Sequence, residues 1–120
     1  MDRGVLNPDV WADLQELSPP TLTQIIDGYH YNTLAILARL RTVARIGSAI
    51  EFRSLLRQLS ECGASVGDEP LRRLCETAAQ QSEAGAVTDL PSLVRRIEAA
   101  FGRGVYTIEE QLTSLLSRKK

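Results

Sequence analysis

Apolar residues recur along this chain at the three-and-four spacing of an α-helix, in four long stretches and one short one. The clearest stretch runs from Phe52 to Gly67. Phe52, Leu55, Leu56, Leu59, Cys62 and Val66 form one inward stripe, and Arg53, Arg57, Ser60, Glu61 and Ala64 form the outward, polar or small face. Ser48-Ala49-Ile50-Glu51 ahead of it reads as a capping box that starts this helix. Before it, Asn7-Pro8 opens a short helix reaching about Leu17, with Val10, Trp11, Leu14 and Leu17 on one side. That helix is too short to be a full bundle member and is expected to lie across the others as a lid anchored by Trp11.

Ser18-Pro19-Pro20 begins the next helix, where Leu22, Ile25, Ile26, Tyr29, Thr33, Leu37, Leu40 and Val43 hold the period. Leu34 and Ile36 widen that stripe, as for a helix with more than one neighbour. Gly28 weakens it by roughly 1 kcal/mol relative to alanine unless a close contact needs it. Gly47 suits the C-terminal end. Asp68 and Pro70 open a further helix with Leu71, Leu74, Cys75 and Ala78 inward, closed by Ala84-Gly85. Thr88-Asp89 caps the last helix, carried by Leu90, Val94, Ile97, Phe101, Ile108, Leu112 and Leu115. Gly102 and Gly104 interrupt it and predict a bend or short break near Arg103.

Short turns between amphipathic helices favour antiparallel neighbours. The expected fold is all-α: an up-down antiparallel four-helix bundle with a short extra N-terminal helix, one domain over residues 1–120. No period-2 run of β-branched residues marks a strand. A chain of 120 residues, 43% apolar and 24% charged, can bury one core without disulfides or metals.

A net charge of -1 supplies no overall attraction to nucleic acid or to an anionic membrane surface. The basic end Arg118-Lys119-Lys120 fits a solvated helix C-terminus. Met1-Asp2-Arg3-Gly4 has no apolar run behind it, so no signal peptide is read, and no stretch reaches the ~20 apolar residues that span a bilayer. Cys62 and Cys75 fall on apolar stripes without metal-ligand or redox spacing, which reads as buried reduced thiols in a cytoplasmic protein. The excess of arginine over lysine hints at a bacterial source.

Catalytic signatures are missing: no Gly-rich phosphate loop, HExxH, paired Cys-x-x-Cys or nucleophile elbow. No enzyme activity, cofactor, metal or small-molecule ligand is expected. The one histidine, His30, follows the inward Tyr29 and reads as a partly buried structural residue, with a phosphoacceptor role as the alternative. Glu109-Glu110 reads as a solvated helix face.

The order and spacing of several segments resemble the histidine-containing phosphotransfer (HPt) domains of multistep phosphorelays. Val5-Leu6-Asn7-Pro8-Asp9-Val10 is similar to the family's entry into its first helix. Ile25-Ile26-Asp27-Gly28-Tyr29, with Leu34 and Leu37-Ala38-Arg39-Leu40, resembles its second. Leu59 followed by Ala64-Ser65-Val66-Gly67 and then Leu71-Arg72-Arg73-Leu74-Cys75-Glu76 resembles its passage from the phosphoacceptor helix into the next. The resemblance implies a phosphoaccepting histidine two residues before Leu59 and ten before Gly67, and both counts fall on Arg57. The lysine and glycine that follow in the family fall on Ser60 and Glu61.

A guanidinium is always protonated and is no nucleophile, so Arg57 cannot carry a phosphoryl group as an imidazole does. The resemblance therefore implies a degenerate member that docks on a receiver domain or histidine kinase. Its docking surface would comprise Arg53, Arg57, Ser60, Glu61 and Ala64, with Arg57 meeting the partner's carboxylates or aspartyl phosphate. Within the helix, Glu61 is the expected partner of Arg57. Two alternatives stay open: phosphotransfer through His30, and a helical interaction or dimerisation module unrelated to phosphorelay.

Overall fold

A computed structural model of the chain describes residues 6–86 and 89–118. It contains five helices: α1 (Pro8–Leu14), α2 (Pro19–Ile46), α3 (Ala49–Ser65), α4 (Glu69–Glu83) and α5 (Leu90–Arg118). The last four close a ring in which α2 packs on α3, α3 on α4, α4 on α5 and α5 back on α2. The architecture is the expected up-down bundle, elongated to 50 × 28 × 19 Å. An isolated bridge between Leu6 and Asp68 is the only β pairing among the described residues.

Caps formed by side chains set most helix starts. Asn7 Oδ1 accepts the backbone N–H groups of Asp9 (2.9 Å) and Val10 (3.3 Å) ahead of Pro8. Ser18 Oγ accepts from Thr21 N, Asp68 Oδ1 from Leu71 N and Asp89 Oδ1 from Ser92 N. Gly47 ends α2 at φ 78°, a left-handed conformation that suits a residue without a Cβ. Thr88, residues 1–5 and Lys119-Lys120 lie outside the described residues.

One core joins the four long helices. From α3 it takes Phe52, Leu55, Leu56 and Leu59, all at most 5% exposed, each contributing about 1.5–3 kcal/mol by leaving water. Trp11 of α1 is buried and its indole Nε1 donates to Val66 O at 2.7 Å. With Asn7 N donating to Gly67 O at 2.8 Å, this pins the N-terminal segment across the α3–α4 turn as the expected lid.

Several local expectations are corrected. Helix α1 stops at Leu14, and Gln15–Leu17 form a turn. The Ser48–Glu51 capping box does not form: Ser48 makes no side-chain cap bond, and the Glu51 carboxylate is turned to Arg39 of α2 instead. Ile25 and Leu34 are 37% and 56% exposed, because α2 has neighbours on two sides only and its outer face stays open. Cys75 is buried but Cys62 only half-buried, at the seam between α3 and α2. Desolvation raises both thiols, that of Cys75 to about 12.

Helix α5 runs unbroken through Gly102 and Gly104. Gly104 is buried against Asp68, whose carboxylate fills the space a side chain there would need. Its glycine answers a packing demand rather than a bend.

Candidate functional site

The outward face of α3 and the adjoining face of α4 enclose a shallow groove. Arg57, Ser60 and Glu61 line it from α3, and Glu76, Ala79, Gln80 and Glu83 from α4. The α4 residues recur at i, i+3, i+4 and i+7, the spacing that puts them on one helix face. That spacing was the signal for them in the sequence, and it identifies an outer stripe without saying that the stripe borders Arg57.

Arg57 is exposed, and its Nη2 pairs with the Glu83 carboxylate across the groove. The expected partner, Glu61, is exposed on the same helix but makes no ion pair with it among the described residues. Arg53 is half-buried, and its Nη1 donates to Ser82 O at 3.5 Å. Both α3 arginines therefore reach the last turn of α4, which has no basic residue of its own there. A helix C-terminus is electronegative, so cations are favoured at that position.

Ser60 is half-buried, with its hydroxyl donating to Arg72 O at 3.3 Å. Arg72 in turn bridges Glu69 and Glu76, both at 2.9 Å. Its hydrogen bond holds Glu69 below the usual carboxylate range. Ala64 is exposed one helical turn beyond Ser60. All five sequence-predicted surface residues thus share one side of α3, although Arg53 and Ser60 are tied down by backbone carbonyls of α4.

His30 is placed elsewhere. It is half-buried on the side of α2 facing α5, with its ring edge-on to Phe101 at 6.3 Å. Its Nε2 is buried without a hydrogen-bond partner among the described residues. Tyr29 beside it donates its hydroxyl to Asp68 Oδ2 at 3.4 Å, and burial drives the phenol pKa far up.

In chemical terms the groove offers a charged, five-donor guanidinium framed by carboxylates. A guanidinium can pair with carboxylate or phosphate groups and is itself no nucleophile. Among the described residues, no group of three or more His, Cys, Asp and Glu could hold a metal ion. No described helix is long and apolar enough to cross a membrane.

Fold and groove together define an all-α bundle with a polar face on α3 and α4. The histidine-containing phosphotransfer protein B of Pseudomonas aeruginosa shares this fold with a TM-score of 0.80. The match covers 91% of this chain and 95% of that one at 18% sequence identity. No protein-family model matches the chain, and no curated protein matches it by sequence.

Proposed function

We propose that this chain is a phosphorelay docking domain: an HPt-like bundle that binds a receiver domain or histidine kinase through its α3–α4 face without accepting a phosphoryl group there. The observation that carries the reading is Arg57, exposed on α3 at the position where the sequence resemblance calls for the phosphoaccepting histidine. The likeness in fold to a phosphotransfer protein supports the choice of partner class. Glu61, exposed where the family has glycine, adds a side chain to the surface that a receiver would have to approach closely.

Arg57 has to leave Glu83 to meet a partner. Their side chains are 52% and 53% exposed, and such surface pairs contribute about 0–1 kcal/mol. A desolvated carboxylate cluster on the partner, or an aspartyl phosphate, offers a stronger charge-assisted contact and takes the guanidinium over. The buried Nε2 of His30, packed against Phe101, favours a structural role for that histidine.

Calorimetric titration of purified receiver and kinase domains with the wild type and with Arg57→Ala tests the docking. At least one wild-type complex is expected, weakened about tenfold or more by the substitution. Absence of binding across the panel, or an affinity indifferent to residue 57, would remove the proposal.

A further inference from the structure

The face of α2 turned away from both neighbouring helices carries apolar side chains in water. Tyr31 is 76% exposed and Leu34 56%, and Ala35 and Ala38 are exposed beside them. Counted along α2, Gly28, Tyr31, Ala35, Ala38 and Thr42 alternate spacings of three and four, the seam of a helix pair. Gly28 has no atom of the folded chain near the place its side chain would occupy, so nothing within the bundle asks for glycine there.

We propose that this seam is an interface between two copies of the chain, with the two α2 helices packed antiparallel about a two-fold axis at Ala35. Charge complementarity selects both the occupant and the direction. Asp27 lies eight residues before Ala35; Arg41 and Arg45 lie six and ten after it, bracketing the matching height. All three are exposed on the Leu34 side of the seam. An isologous two-fold contact reverses a residue's height along the seam and keeps it on its own side.

Asp27 of one copy therefore meets Arg41 and Arg45 of the other, twice per dimer. Leu34 meets its own counterpart, and Tyr31 covers Ala38. A parallel pairing would keep each residue's height and carry it to the opposite side of the seam, so Asp27 would meet neither Arg41 nor Arg45 of the other copy. Within the monomer Arg41 also pairs with Glu98 of α5, on the flank of the same face. The α3–α4 groove lies on other helices, so this interface stands or falls independently of receiver docking.

Sedimentation equilibrium of the intact chain and three surface variants decides the matter, with circular dichroism confirming that each variant remains helical. The wild type is expected to dimerise reversibly. Asp27→Arg alone, the Arg41→Asp/Arg45→Asp pair alone, and Leu34→Glu should each raise the dissociation constant about tenfold or more. Mixing the Asp27→Arg protein with the Arg41→Asp/Arg45→Asp protein should restore a dimer, because every cross-pair is again opposite in sign. A wild type that stays monomeric up to about 1 mM, where even weak complexes form, overturns the proposal. So does a dimer indifferent to these substitutions, or a mixture that fails to recombine.

Discussion

The Asp68 carboxylate rests against the Cα of Gly104, filling the space a side chain at residue 104 would need. Asp68 also caps α4 through Leu71 N at 3.2 Å and receives the Tyr29 hydroxyl. One buried acid thus ties together α2, the α3–α4 turn and α5, and a single glycine makes room for it.

Gly104→Ala is therefore expected to lower stability by about 1–3 kcal/mol, the usual cost of overpacking a filled core. Gly102→Ala, in the same helix with nothing near its Cβ position, should raise stability by about 0.5–1 kcal/mol through helix propensity alone. Urea unfolding of the two variants checks the contrast.

Burial raises the Asp68 pKa, outweighing the opposing hydrogen bonds from Leu71 N–H and Tyr29. The folded chain holds this proton to higher pH than the unfolded chain does. Its contribution to stability is thus full below the ordinary carboxylate pKa of about 4 and is lost as pH rises through the folded value. Asp68→Asn removes that titration while keeping an oxygen to cap α4. Measured by urea unfolding at a series of pH values, the wild type should lose stability relative to Asp68→Asn across that window and level off above it.

Trp11 is the only tryptophan in the chain, so its fluorescence reports whether α1 is docked. Gly67 adopts φ 72°, and a Cβ there would lie 3.2 Å from the Trp11 ring and 3.1 Å from Asn7 N. Gly67→Ala is expected to cost about 1–2 kcal/mol through left-handed strain and to red-shift the emission as the lid loosens. Trp11→Phe leaves Val66 O buried without its donor and should cost about 1–3 kcal/mol.

The Arg57–Glu83 pair is exposed on both sides. A double-mutant cycle with Arg57→Ala and Glu83→Ala should yield a coupling of about 0.2–1 kcal/mol in thermal or urea unfolding. Any loss of partner binding in Arg57→Ala would then reflect the surface, not a damaged fold.

Much of the bundle was legible because helical period and capping chemistry are local properties. Ser18, Asp68 and Gly47 announced their helix ends, and Phe52 to Leu59 announced the core face of α3. What was missed depends on contacts between distant segments. Gly104 read as a breaker because a glycine's packing partner, here Asp68 from another helix, leaves no mark near it. Glu51 matched a capping box, yet Arg39 of the neighbouring helix offered it a charge. Arg57 had a plausible partner in Glu61 one turn away, whereas the ion pair forms with Glu83, 26 residues further on. Leu34 fitted the apolar period of α2 and stayed outside, because period alone does not say how many neighbours a helix has.

The central claim is that Arg57 and Glu61 stand where an HPt domain would keep its phosphoacceptor histidine and the glycine beside it. A chase from radiolabelled phosphorylated receiver domains to the wild type, His30→Gln and the Arg57→His/Glu61→Gly variant tests this most directly. The expected result is no label on the wild type and acid-labile label on the Arg57→His/Glu61→Gly protein. Label on the wild type that disappears in His30→Gln would contradict the claim, as would an Arg57→His/Glu61→Gly protein that binds a phosphorylated receiver and stays unlabelled.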